Sequence, residues 1–332
     1  MTLTQASVWT KRGIVFLILS IILGIVASVG YKIWYQYELS HRPPVEEKPE
    51  VKFGTLPKVL FPSSNISSSN YSYSIDTVTG GLPQTPKLAK VYFIPQTGIS
   101  LLAPDKAKRL AENLGFPNGQ EILSQTRHKF TDNQNGSLTI DLSTGNFHFQ
   151  RSVATDSALL QKIPFSDKDQ VIGNFRSYLA SKGLLIEDIQ KSRAEVVFDS
   201  PSPVQSQTAQ VSIWPSDLDN LPIVTANLHR GLIGGTLTQA TDEKNKVTKV
   251  DYTFWSIDKT TFSTYPLKTA EQALSDLRAG LGFINTEPEK PQVSISSIYL
   301  GYLESEDYSP YLQPVFVFEG PGFSALVPAI AK

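Results

Sequence analysis

The sequence predicts an α+β fold: an N-terminal transmembrane helix, then tandem modules in which one helix packs on antiparallel sheet. Three observations carry this. Residues 13–31 run for 19 positions without a charge, GIVFLILSIILGIVASVGY. Three later stretches repeat apolar residues at helical spacing, and each closes on glycine followed by an apolar residue. Between them, short segments alternate apolar and polar residues, with β-branched and aromatic side chains enriched. That is the period of a half-buried strand.

At ~1.5 Å of rise per residue, the uncharged run matches a hydrocarbon core of ~30 Å. A cleaved signal peptide has a shorter apolar core of about 7–15 residues, and Ala27-Ser28-Val29-Gly30 is a poor cleavage site. Lys32, Trp34, Tyr35 and Tyr37 follow at once, a cluster suited to the lipid–water interface. The run therefore reads as an uncleaved signal anchor. Lys11 and Arg12 before it nearly balance Lys32, Arg42 and Lys48 after it, so flanking charge does not orient it. The long remainder, rich in Ser, Thr, Asn, Gln and Tyr, suits an extracytoplasmic domain. The expectation is a single pass through the plasma membrane with the N-terminus in the cytoplasm.

Five segments follow from this reading: a tail over 1–12, the span over 13–31, a stalk or linker over 32–70, a first α+β module over 71–160, and a second α+β region over 161–332. The second region has a possible break near 262. The prolines and mixed charges of 38–62 (ELSHRPPVEEKPEVKFGTLPKVLFP) favour a semi-extended stalk. The chain has no cysteine, which excludes disulfides, zinc-thiolate sites and cysteine nucleophiles. Its 30 basic and 31 acidic residues leave no surplus of positive charge for nucleic acid.

The first helix is expected over Pro104–Leu114, with proline in the first turn. The second is expected over Ser166–Lys182, opened by a Ser166/Asp169 capping pattern, with Val171, Ile172, Phe175, Tyr178 and Leu179 at helical spacing. The third runs over Thr269–Gly280, opened by Thr269 and Gln272, with Ala270, Ala273, Leu274 and Leu277 buried. Gly115-Phe116, Gly183-Leu184 and Gly282-Phe283 are the expected stops, because glycine takes the left-handed C′ position and the next side chain folds back. SLTIDL, NFHFQ, AEVVFD, AQVSIW, KVDYTFW, VSISSIYLGY and PVFVFE read as strands. Residues 133–136 and 242–245 read as hairpin turns.

One pattern recurs. Ile75-Asp76-Thr77-Val78-Thr79-Gly80 matches Ile140-Asp141-Leu142-Ser143-Thr144-Gly145, and Ile257-Asp258-Lys259-Thr260-Thr261 is a partial third copy in which Phe262 replaces the glycine. The Asp side chain can accept from backbone N–H groups just ahead of it, and glycine can start the return strand. Each copy lies upstream of one predicted helix, as in a duplicated α+β unit. This arrangement resembles the PepSY module of bacterial envelope proteins, and the tandem anchored form resembles YycI-like regulators. The resemblance implies a noncatalytic module that binds or restrains partners such as proteases and sensor kinases. It supplies no catalytic residues.

No motif carries chemistry by itself. His41, His128, His148 and His229 lack the close spacing of metal ligands, so no metal or cofactor is expected. Asp76-Thr77 lacks the adjacent glycine of an aspartic-protease loop, and Ser256-Ile257-Asp258-Lys259 sits at a strand end without the partner motifs of serine acyl-transfer enzymes. Carboxylate pairs such as Glu195 with Asp199, or Asp217 with Asp219, leave a cell-envelope hydrolase as an alternative, and a structural envelope subunit is a third. Glu304, Glu306 and Asp307 read as a solvated hairpin tip without calcium-loop spacing. Tyr299, Tyr302, Tyr308 and Tyr311 form the candidate partner-binding surface, because their hydroxyls need water or a partner. The reading is a noncatalytic binding or regulatory head whose partner is another envelope or membrane protein.

Overall fold

A computed structural model describes residues 17, 20–21, 23–38, 48–96, 98–151 and 162–331. The chain divides into two compact units, Met1–Lys48 and Pro49–Lys332.

In the first unit, residues 23–38 form helix α1. Tyr31 stands 6.2 Å from both Trp34 and Tyr35, as neighbours three and four apart on one helix face do. This corrects the expected transmembrane helix: among the described residues, no helix is long and apolar enough to cross a membrane. Residues 17, 20 and 21 of the apolar run are helical as well. Helix α1 continues past Tyr31 through the polar, aromatic sequence KIWYQYE, so Lys32 and Glu38 lie within it. The expected signal anchor and single membrane pass rested on that helix and are corrected with it. Residues 13–16, 18, 19 and 22 of the predicted span lie outside the described residues, as do the tail over 1–12 and His41.

The second unit runs in order β1 (Ser72–Ile75), β2 (Leu88–Phe93), α2 (Ala103–Asn113), β3 (Asn118–Ile122), β4 (Arg127–Thr131), β5 (Ser137–Asp141), β6 (Phe147–Gln150), α3 (Lys168–Ser181), α4 (Glu187–Gln190), β7 (Ala194–Phe198), β8 (Thr208–Ile213) and β9 (Ile223–Val224). It continues with β10 (Ile233–Thr238), α5 (Glu243–Lys246), β11 (Val247–Tyr252), β12 (Asp258–Pro266), α6 (Ala270–Arg278), β13 (Phe283–Thr286), β14 (Gln292–Ile295), β15 (Ser297–Leu303), β16 (Tyr311–Gly320) and β17 (Phe323–Pro328). The α+β class of the head agrees with the sequence.

The predicted helix stops are made by 6→1 hydrogen bonds. Phe116 N donates to Ala111 O, Leu184 N to Leu179 O and Leu281 N to Asp276 O. The glycines between are left-handed: Gly115 (φ 83°), Gly183 (φ 69°) and Gly280 (φ 84°). The third stop therefore falls at Gly280, two residues before the expected Gly282. At the start of α3 the cap is Asp167 rather than Ser166: Gln170 N donates to Asp167 Oδ1, and Ser166 N donates back to Gln170 Oε1. Thr269 and Gln272 form the capping box as read.

Eight strands make one antiparallel sheet in the order β3-β4-β5-β6-β11-β10-β8-β7. It consists of two four-stranded meanders, each preceded by a helix, α2 for one and α3 for the other. They join last strand to last strand, with Phe147 opposite Tyr252 and Phe149 opposite Val250. The sheet is thus continuous across the boundary placed near 160. Alternate side chains (Phe130, Leu138, Ile140, Phe149, Val211, Ile233, Val250) face one core together with Ala107 and Ala111 of α2 and with Val171, Phe175 and Leu179 of α3.

A seven-stranded sheet forms the other part, ordered β12-β2-β16-β15-β9, with β17 beside β16 and β13 beside β17. Strand β16 is its spine: Phe316 and Phe318 are fully buried against Leu274 and Leu277 of α6 and against Ile295 and Val327. A short parallel pair, β1 with β14, flanks this core. The repeated turns behave unequally. Asp141 Oδ1 accepts from Ser143 N and Thr144 N, and Asp258 Oδ1 from Thr260 N and Thr261 N, as a capping carboxylate should. Asp76 instead accepts from Ser294 Oγ at the end of the parallel pair.

The expected stalk is partly strapped to this sheet. Val51 N donates to Thr264 O, Lys52 N to Ser263 Oγ, and Gln313 Nε2 to Pro57 O. Phe61 stacks on Phe283 with ring centroids 5.1 Å apart. Apolar residues within the Pro-rich run (Phe53, Val59, Phe61) override its extended composition by packing on strands.

One glycine position fixes how closely α3 approaches the sheet. A Cβ at Gly235 of β10 would lie 2.6 Å from the Phe175 ring and 2.9 Å from Lys249 O. Gly235→Ala is expected to destabilise the head by about 1–3 kcal/mol through overpacking, read as a lower urea midpoint with an unchanged slope.

Candidate functional site

The four tyrosines do not share one exposed face. Tyr302 is 1% exposed and donates its hydroxyl to Lys90 O. Tyr308 is half-buried, lies 5.7 Å from Trp255 and donates to Ile94 O. Tyr311 is half-buried between Phe53 and Phe93. Tyr299 is half-buried, and burial together with nearby Glu319 pushes its hydroxyl up to about 12. The hydroxyls of Tyr302 and Tyr308 already have backbone partners, so these residues act mainly as core.

The acidic loop also differs from expectation. Glu306 and Asp307 are exposed, but Glu304 is 3% exposed and neither carboxylate oxygen has a hydrogen-bond partner. Its backbone N–H continues the pairing of β15 with β9 by donating to Val224 O, which carries the side chain inward. Burial disfavours the charged form and pushes the carboxyl up to about 8, outweighing a smaller lowering contribution from the Trp255 backbone nearby.

The histidines and paired acids are dispersed over several polar clusters. His128 is buried with Nδ1 3.0 Å from Gln120 Nε2. His148 pairs with Asp251, which also meets Arg230 at 2.8 Å and Lys249 at 3.3 Å. Burial raises the Asp251 carboxyl, but the His148 hydrogen bond and the surrounding cations outweigh it and bring it to about 2. His229 lies 3.8 Å from Glu195. Asp199 accepts from Gln207 N and Thr208 N, whereas Asp219 accepts from the Tyr92 hydroxyl and from Lys90. Among the described residues, no group of three or more His, Asp or Glu side chains could hold a metal ion.

A cluster that the sequence reading did not single out lies where α2, α3, α5 and the β4–β5 turn converge. Arg151, just after β6, donates to Leu114 O at the end of α2 and to Lys244 O on α5. Its guanidinium carbon sits 4.6 Å from the Phe116 ring centroid and 5.0 Å from that of Phe149. Arg151 Nε is 3.8 Å from Asp132 Oδ2, whose other oxygen accepts from Gln134 N and Gly136 N. Burial lowers the Arg151 pKa and raises that of Tyr178. Arg151 Nε, Asp132 Oδ2 and the Tyr178 hydroxyl are all buried without hydrogen-bond partners. These three residues line a cleft of about 380 Å³ together with Glu112, Lys182, Glu243 and Lys244. No sequence signal marks this site, because an arginine after a strand reads as a solvated end until the helices that cover it are placed.

The eight-stranded sheet offers a second feature, its two edges. β3 is irregular: Gly119 is left-handed and the register shifts between Asn118 and Glu121. Such a bulge blunts an edge. β7 (AEVVF) runs in unbroken register along β8, its only strand neighbour among the described residues, with Val197 60% exposed.

No family model matches the chain, and no curated protein matches it. Among solved structures it is similar to an uncharacterized protein from Eubacterium rectale ATCC 33656, at 15% identity and a TM-score of 0.38, over 77% of this chain and 87% of that one. A likeness of that degree carries no argument about function.

The Glu304 carboxyl has a stability consequence of definite sign. Its folded pKa, about 8, lies above the ordinary value of 4.5. Its contribution is therefore fully present below about pH 4.5 and is lost as pH rises through 8, at ~1.4 kcal/mol per unit between the two. Thermal melts of the wild-type head should drop between pH 5 and pH 9. In Glu304→Gln that part of the drop should vanish.

Proposed function

We propose that this chain is a noncatalytic binding and regulatory module whose α+β head engages another protein by strand addition at β7. The observation that carries the reading is the open β7 edge. A regular strand with one neighbour presents a row of backbone groups to an incoming strand, and side chains at alternate positions give selectivity. Neither a bulge nor a proline interrupts β7, and Val197 adds an apolar contact at its outer end. The Asp-containing turns at Asp141 and Asp258 support the same assignment through their resemblance to PepSY-like modules. That resemblance points to an envelope protein, of the protease or sensor-kinase kind, as the partner.

A lysine on an edge strand opposes pairing while leaving the strand itself intact. Val197→Lys changes an exposed side chain, so the head should melt as the wild type does. Capture of the partner from solubilised envelope fractions should fall about tenfold or more. Equal capture by wild type and variant, or no specific partner across several conditions, overturns the reading.

A further inference from the structure

We infer that the cleft between α2, α3 and α5 is a binding site for a small, neutral, hydroxyl-bearing ligand of the saccharide class. The inference does not depend on the β7 edge. It starts from hydrogen-bonding capacity that the protein leaves unused. Buried polar side chains are almost always paired, yet two donors (Arg151 Nε–H and the Tyr178 O–H) and one acceptor (Asp132 Oδ2) are orphaned beside one cleft. A hydroxyl both accepts and donates. Seated beside the Arg151–Asp132 pair, whose two atoms are 3.8 Å apart, a hydroxyl oxygen can lie about 2.8 Å from each and satisfy both after a small side-chain shift.

Charge selects the class. The cleft is lined by Arg151, Lys182 and Lys244 and by Glu112, Asp132 and Glu243, so its charged lining balances. Neither an anion nor a cation gains net attraction there, whereas a neutral polar ligand loses nothing. The volume, about 380 Å³, suits one or two sugar rings rather than a large ligand.

The lining grades in exposure: Tyr178 is 6% exposed, the Lys182 side chain 16% and the Glu243 side chain 60%. Lys182 Nζ sits 5.8 Å from the Tyr178 ring centroid and 2.8 Å from Glu243 Oε1, so the lysine links the buried tyrosine to the exposed acid along the lining. An ion pair with one largely exposed partner holds weakly, so Lys182 can turn to a ligand as a further donor.

The test uses the full chain with four probes: glucose, N-acetylglucosamine, acetate and inorganic phosphate. Saturation-transfer NMR detects binding, and titration gives affinity. At least one sugar should bind saturably, while acetate and phosphate should not. Tyr178→Phe keeps the ring and should weaken sugar binding about tenfold. Without ligand the same variant should melt at or above the wild-type temperature, since it removes an unpaired buried hydroxyl. Three results overturn the inference: no sugar binds, only the anions bind, or sugar affinity is unchanged in both Tyr178→Phe and Asp132→Asn. Partner capture through β7 should be the same in Tyr178→Phe as in wild type, so either proposal can fail alone.

Discussion

The pairing of β6 with β11 is the constraint on which the head depends. Each four-stranded meander would otherwise present an unpaired inner edge and a core too small for its helix. Joined along Phe147–Gln150 and Lys249–Tyr252, they become one sheet with a shared apolar face. Phe147 stacks on Tyr252 across the seam with centroids 5.2 Å apart, and the Tyr252 hydroxyl reaches Leu184 O beyond the end of α3. The seam therefore links the two strand sets and also sets the height of α3 above them. Aromatic cross-strand pairs of this kind are among the stronger stabilisers of a sheet.

The same seam explains where the polar cluster lies. Arg151 is the next residue after β6, and its N–H donates to Thr248 O on the neighbouring strand. From there its side chain turns under Phe116 toward the C-terminal end of α2, where a carbonyl accepts from it. A cation at a helix C-terminus is favourable electrostatically, and the two aromatic faces supply cation–π contact in place of water. A buried guanidinium is tolerable on these terms. A buried carboxylate at Glu304, with neither oxygen paired, is tolerable only by holding its proton.

Much of the head was legible in the sequence, and the particular residues show why. Helical spacing placed α2, α3 and α6 within two residues of their ends, and the Gly-apolar stops at Gly115 and Gly183 are local backbone chemistry that needs no tertiary context. Alternation found β5, β6, β7, β8, β11 and β16 for the same reason, but it read Val293–Tyr302 as one strand, where the chain breaks at Ser296 into β14 and β15 of different sheets. What failed was long-range. Nothing local says that Ile75 ends a strand paired in parallel with Gln292–Ile295, or that Phe53 and Phe61 dock on strands more than 200 residues away. Glu304 read as solvated because its neighbours Glu306 and Asp307 are, and Tyr302 read as surface because a hydroxyl suggests water. Both were decided by the strand direction of β15. The apolar run over 13–31 differs in its end: α1 does not stop at Tyr31 but continues through Lys32 to Glu38, where the composition is no longer apolar.

The strap over 49–62 and strand β2 bear on the order in which this chain can assemble. Among the described residues, β2 pairs with β12 and β16, about 170 and 220 residues later in the chain. Leu60 O and Pro57 O find their donors 245 and 256 residues on, at Ser305 and Gln313. Contacts closing such long loops are slow to form. The eight-stranded sheet lies wholly within residues 118–252 and can pair as that segment leaves the ribosome. The seven-stranded sheet stays incomplete until β16 arrives. A growing chain therefore holds an apolar β2 unpaired until β12 emerges, and truncation between residues 266 and 311 would leave it an aggregation-prone strand without its β16 partner.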